Sequence, residues 1–166
     1  MKKALIVIDM QHDFIDGSLG TNEAKQILPN VKKIIEAKDY DKIFFTRDTH
    51  FKNYLQTQEG KNLPVPHCIK DTPGWQIHED LDTSFATIID KVSFGYDKWN
   101  NYLDGIDEVV LVGLCTDICV ISNALIIKAL YPEMKISIIE NATAGVTPQA
   151  KEAALMTARS CQIGVE

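Results

Sequence analysis

No stretch of the sequence approaches the roughly 20 consecutive apolar residues that a membrane-spanning helix requires. A secretory signal pattern is missing as well: the early apolar run in MKKALIVIDM is short and broken by Asp9. Basic charge is in the minority. With 17 Lys and Arg against 23 Asp and Glu, the net charge of −6 argues against broad nucleic-acid binding. It favours solubility and names no substrate. A glycine-rich phosphate cradle is absent from the first turn, which reads DMQHDFIDG; Gly17 and Gly20 come too late to supply one. There is no internal repeat, no low-complexity segment and no interdomain linker. The 166 residues suit one domain spanning 1–166, with enough chain to bury a core without disulfides. Cys68, Cys115, Cys119 and Cys161 are therefore expected to be free thiols in a cytoplasmic protein.

What the sequence does contain is alternation. Strand-like apolar runs fall at Ala4–Ile8, Lys42–Thr46, Thr87–Asp90, Val109–Val112 and Ile136–Ile139, with a short last run near Gln162–Val165. Between them, Asn22–Ala37 carries Ile27, Val31, Ile34 and Ile35 at helical spacing. Asp117–Leu130 is a long apolar stretch of good helix formers, and Pro148–Ala158 opens with proline at a plausible first turn. This order predicts an α/β three-layer sandwich: a parallel sheet of five or six strands with helices on both faces. The stretch Thr49–Leu81 has no clean period and holds Gly60, Pro64, Pro66, Pro73 and Gly74. A loop of that length in a compact domain is often functional.

In an open parallel sheet, ligands collect at the carboxyl ends of the strands. Asp9 ends the first run, Lys91 follows the third, and Cys119 lies just after the fourth in GLCTDICV. Asp117 is a good N-cap residue, which puts Cys119 in a first helical turn, where backbone amides favour a thiolate. Lys91 nearby would add to that effect and hold the Cys119 pKa below the free-cysteine value. Asp9 could then move the proton. Each residue alone has an ordinary explanation: a strand-end turn, a solvated charge, a core thiol. Their shared edge of one sheet makes the catalytic reading stronger than any one of them does.

A second constellation follows the second strand. Asp48 and His50 alternate along one extended segment, so both project to the same side. Glu59 and His67 come later in the loop. Mixed nitrogen and oxygen donors suit zinc, iron or manganese better than calcium. His12 and His78 are left for surface or supporting roles. The Cys115–Cys119 spacing could mark a redox pair or half a metal site, but no second cysteine pair accompanies it. Cys68 beside His67 reads as buried packing.

Taken together, ALIVIDMQHDF (4–14), TRDTH (46–50), LPVPHCIKDTPGW (63–75) and LVGLCTDICV (111–120) resemble the isochorismatase-like cysteine hydrolases, in particular their nicotinamidase and pyrazinamidase branch. The resemblance covers nearly the whole chain, and the last segment is its most specific part. It implies a triad of Asp9, Lys91 and Cys119, an oxyanion hole from the amides of Cys115 and Cys119, and a cis peptide at Leu114–Cys115. It also implies a divalent metal on Asp48, His50 and His67. Many nicotinamidases have a second histidine shortly after the first; here FKNYLQTQEG (51–60) has none, and Glu59 is the candidate replacement. Phe14, Phe94 and Tyr96 are the candidates for an aromatic substrate pocket.

The expected activity is hydrolysis of a small amide, nicotinamide to nicotinate and ammonia, through a thioester on Cys119. The expected partners are that small molecule and further copies of the chain in a homo-oligomer, with neither nucleic acid nor membrane. Two alternatives stand beside it: a metal-free hydrolase of another amide, carbamoyl compound or vinyl ether, and a non-catalytic binding protein that kept the fold.

Overall fold

A computed structural model describes all residues, 1–166. Six strands form a single sheet: β1 (Lys3–Ile8), β2 (Lys42–Asp48), β3 (Thr87–Lys91), β4 (Glu108–Leu114), β5 (Lys135–Ala144) and β6 (Gly164–Val165). Their spatial order is β3-β2-β1-β4-β5-β6, and every pairing is parallel. The helices are α1 (His12–Ile15), α2 (Asn22–Glu36), α3 (Gln58–Asn62), α4 (Asn100–Leu103), α5 (Ile121–Leu130) and α6 (Pro148–Ser160). A π-helical turn, Thr116–Val120, leads directly into α5.

The layering follows from the two-residue period of a strand. Ala4, Ile6 and Ile8 of β1 face one core, with Val109 and Leu111 of β4, Ala124 and Ile127 of α5, and Leu155 of α6. Leu5 and Val7 face the other, with Val110 and Val112 of β4 and Ala24, Ile27, Val31 and Ile35 of α2. Strands buried on both faces read as the continuous apolar runs seen in the sequence. The observed strands extend further than those runs, because β2 and β4 continue through Asp48 and Leu114 and β5 through Ala144. These extensions carry the polar and small residues of the site, which an apolar count does not detect.

Thr21 caps α2 by accepting from the Ala24 amide (3.0 Å), and Thr147 caps α6 by accepting from the Ala150 amide (3.1 Å). Asp117 departs from the expected cap. The helix start is Cys115, with no side-chain cap, and Asp117 accepts instead from the Val146 amide at 3.0 Å. It therefore ties the nucleophile turn to the loop before α6.

The sheet order reverses at β1, whose neighbours are β2 and β4, so a crevice opens beyond the ends of β1 and β4. Gly113 keeps that edge close. Its φ is +112°, and a Cβ there would run into the Ile8 carbonyl oxygen of β1. Gly113→Ala is expected to destabilise the protein by about 3 kcal/mol or more, the range of a backbone clash combined with a forbidden φ. Chemical denaturation checks this; a loss below about 1 kcal/mol, as at a typical surface site, would show that β1 and β4 can part freely.

Candidate active site

Asp9, Lys91 and Cys119 converge. Lys91 Nζ lies 2.8 Å from Asp9 Oδ2 and donates to Cys119 Sγ at 3.4 Å. It also donates to the Ser93 carbonyl at 3.1 Å. The Asp9 and Lys91 side chains are both fully buried. Thr46 donates its hydroxyl to Asp9 Oδ1 at 2.7 Å, while Oδ2 faces the Lys91 ammonium. Asp9 adopts a positive φ of 48°, which turns the chain out of β1 toward the crevice. The Leu114–Cys115 peptide is cis.

Burial dominates the proton affinities here. It pushes the Asp9 carboxyl up, and the positive Lys91 offsets only part of this. Burial works against a charged Lys91, yet Asp9, Cys119 and Asp48 raise it above the ordinary lysine value. The Cys119 thiol is pushed well above a free cysteine by burial and then by the negative Asp9, against the pull of Lys91. This overturns the expected depressed thiol pKa. The turn amides and Lys91 are present, but the carboxylate beside them consumes much of the lysine's charge. Moving the thiol proton onto Asp9 keeps the net charge of the trio constant, so an internal transfer avoids the cost of ionising the thiol to solvent.

Lys91 also links the trio to the second constellation, with Nζ 3.8 Å from Asp48 Oδ1. Asp48 Oδ2 sits 2.9 Å from His50 Nε2 and 3.6 Å from His67 Nε2. Glu59 Oε1 is 3.6 Å and 3.8 Å from those same nitrogens. One donor atom from each of Asp48, His50, Glu59 and His67 lies within 4.8 Å of all the others. Two imidazoles and two carboxylates, mostly buried, fit a divalent transition metal. The long loop between β2 and β3 delivers His50, Glu59 and His67, as its length suggested. Burial opposes charge on Asp48, but the hydrogen bond from His50 and the nearby His67 ring hold its carboxyl well below the usual range. Burial and the negative Asp48 push Glu59 up.

Three supports were not singled out in the sequence. Gln11, fully buried, accepts from the Asp48 amide (2.8 Å) and donates to the carbonyls of Asp48 and Trp75 (both 2.9 Å), so one side chain grips the Asp48 backbone on both sides. Asp13 accepts from the Cys68 amide at 2.7 Å, beside His67. Asn123 donates to the Cys119 carbonyl (2.7 Å) and accepts from the Tyr96 amide and the Trp99 indole (both 2.9 Å). A buried amide side chain must find such partners, which is the one signal the sequence offered.

A cavity of about 600 Å³ opens above these groups, lined by Phe14, Leu63, Phe94, Cys115, Ile118 and Cys119, with Asp48, Glu59 and His67 in its wall. Phe14 meets the His67 ring edge-on, centroids 5.4 Å apart. Tyr96 is not part of this wall. It packs against Trp99 and Tyr102 (centroids 5.3 and 6.2 Å) on the α4 side of the core, because Asn123 draws its backbone inward.

Residues 3–166 match the isochorismatase domain family. The chain belongs to that family. Among curated isochorismatase-type relatives, the nicotinamidase/pyrazinamidase of Mycobacterium tuberculosis is 30% identical, covering 97% of this chain and 96% of the relative. Among solved structures, the zinc complex of the Pyrococcus horikoshii pyrazinamidase is 31% identical with a TM-score of 0.85, covering 100% and 99% of the two chains. N-carbamoylsarcosine amidase from Thermoplasma acidophilum is 28% identical with a TM-score of 0.83, covering 100% and 96%.

Lys91→Met is expected to cost about 3–5 kcal/mol, because it strands the buried Asp9 charge. The double variant Asp9→Asn, Lys91→Met should recover most of that loss. Urea denaturation of the two variants and the parent decides it; equal losses in single and double variants would show that the pair does not act as a unit.

Proposed function

We propose that this isochorismatase-family protein hydrolyses the amide of nicotinamide, or a close aromatic analogue, to the carboxylate and ammonia. One observation carries the reading: Cys119, with Lys91 and Asp9 behind it, and the Asp48, Glu59 and His67 donors open into the same aromatic-walled cavity. The relatives named nicotinamidase and pyrazinamidase support the substrate class.

In this mechanism Asp9, paired with Lys91 beside the thiol, takes the Cys119 proton. The sulfur attacks the amide carbon, and Lys91 stabilises the developing thiolate. The backbone amides of Cys115 and Cys119 hold the oxyanion, roughly 3–4 kcal/mol for a donor of this kind. Asp9 returns the proton to the departing amine, ammonia leaves, and water hydrolyses the thioester with Asp9 again as base. Phe14 and Phe94 flank the ring of the substrate. Asp48, His50, Glu59 and His67 would hold a divalent metal, zinc first among the candidates, which supplies Lewis acidity at the cavity wall when bound.

A metal-free hydrolase of a carbamoyl compound or vinyl ether is the weaker alternative, since four donors converge despite the missing second histidine. A non-catalytic binding protein would have no use for so costly a buried trio. The four free cysteines fit a cytoplasmic protein, and no helix is long and apolar enough to cross a membrane. Exposed Phe85, Ile88 and Val92 around edge strand β3 support a homo-oligomer, which sedimentation would check.

Ammonia release from a panel of small amides tests the activity. Cys119→Ala should abolish turnover while leaving fold and metal content intact, whereas Cys115→Ala should be mild, since it keeps the backbone amide. Retention of more than about a tenth of the parent rate by Cys119→Ala, under 1.4 kcal/mol in the barrier, would rule out covalent catalysis there. The pH profile follows from the two raised groups. The proton acceptor is lost as pH falls through the raised Asp9 pKa, so kcat/KM should decline on the acid side at a pH above the ordinary carboxylate value of about 3.9. It should stay level through neutral pH, because internal proton transfer leaves the protonation count unchanged. A rate that climbs steadily from pH 6 to pH 9, roughly tenfold per unit, would point to direct ionisation of the thiol.

A further inference from the structure

We propose that His12, Asp16 and His78 form a second binding site for a divalent transition metal, distinct from the Asp48–His50–Glu59–His67 cluster. One donor atom from each of the three lies within 4.8 Å of the others. The Asp16 carboxylate sits between the rings, with Oδ1 2.9 Å from His12 Nδ1 and Oδ2 3.6 Å from His78 Nε2. The rings themselves are 4.7 Å apart, centroid to centroid. Two imidazoles and a carboxylate suit zinc, nickel or copper and exclude calcium or magnesium as the preferred ion.

The surroundings are those of a ligand set held in advance. Glu79 Oε2 lies 2.6 Å from His12 Nε2. Without metal, His12 donates from Nδ1 to Asp16 and from Nε2 to Glu79; a bound metal would take the place of the Nδ1 proton, while Glu79 keeps the Nε2 proton and orients the ring, as carboxylates do behind metal-bound histidines. The backbone holds both histidines in register. Gln11 and Ile77 form an antiparallel bridge, the His12 amide donates to the Gln76 carbonyl at 3.0 Å, and the His78 amide donates to the Met10 carbonyl at 2.9 Å. Asp16 follows four residues after His12, one turn on along and just beyond α1, so it shares the His12 face. Metal at His78 Nε2 requires the proton on Nδ1. The Asp80 amide now donates to that nitrogen at 3.3 Å, so binding would require the other tautomer, with the exposed Asp80 or Glu79 carboxylate closing from 3.9 or 4.0 Å to accept the proton.

The site would fasten α1 to the segment around His78. The same short helix carries Asp13, which holds the Cys68 amide, and Phe14, which lines the cavity. Occupancy would therefore stiffen one wall of the cavity without contributing a group to the reaction.

Zinc titration of the metal-stripped, full-length protein by calorimetry tests the proposal. The double variant His50→Ala, His67→Ala should keep a zinc equivalent, and the further changes His12→Ala and His78→Ala should remove it. In the otherwise native chain, His12→Ala with His78→Ala should lose one zinc equivalent and keep the other. Glu79→Gln should weaken only this site, by about 10-fold or more. The proposal is overturned if His12→Ala, His78→Ala binds as much zinc as the parent. It is equally overturned if a folded His50→Ala, His67→Ala variant, checked by circular dichroism, binds none. Should that second variant fail to fold, the comparison of the His12, His78 variant with the parent decides alone.

Discussion

A lysine and an aspartate, both shut away from water and 2.8 Å apart, govern this molecule. Neither charge is tolerable in a protein interior without the other. Their pairing fixes how the ends of β1 and β3 stand relative to one another across β2. It also determines what the neighbouring thiol can do. A lysine free of any carboxylate would make Cys119 a standing thiolate. A lysine neutralised by Asp9 keeps it a thiol until the proton has somewhere adjacent to go. Reactivity is thereby tied to a bound substrate that makes the transfer worthwhile, and less to the pH of the solvent.

The two chemical centres are continuous in space. Lys91 touches Asp9 and Cys119 on one side and approaches Asp48 on the other. Asp48 in turn meets both histidines of the long loop. Gln11, two residues after Asp9, grips the Asp48 backbone. A shift at the end of β1 is consequently felt in the donor cluster through two routes, one ionic and one through hydrogen bonds.

Much of this was legible in the residues. The β-branched runs separated by amphipathic stretches specify a parallel sheet, because only strands covered on both faces can be apolar throughout. Asp9, Lys91 and Cys119 were readable as strand-end residues, and the alternation of Asp48 and His50 put both on one side. Glu59 was readable as a donor in the loop, and the missing second histidine made it the candidate replacement. Other features escaped for identifiable reasons. Asp117 has the chemistry of a cap, but the chain approaches it from Val146, a partner that tertiary packing alone supplies. Tyr96 is aromatic and close in sequence to the cavity, yet Asn123 turns it toward Trp99. The thiol's proton affinity depends on desolvation and on which of two opposite charges is nearer, quantities that spacing along the chain does not encode.

The cavity wall divides by origin. Cys119 belongs to a turn that runs straight into α5; Val120 of the turn and Ala124 and Ile127 of α5 are wholly buried in the larger core. Leu19, Asn62, Leu63 and Val146, also in the wall, belong to neither core cluster. Selection can therefore reshape what the enzyme accepts by exchanging residues of this second group at little risk to folding. Drift in the helix that carries the nucleophile is punished at once by the packing beneath it. A scaffold partitioned in this way is suited to diversify its substrates over evolutionary time while its reactive atoms stay where they are.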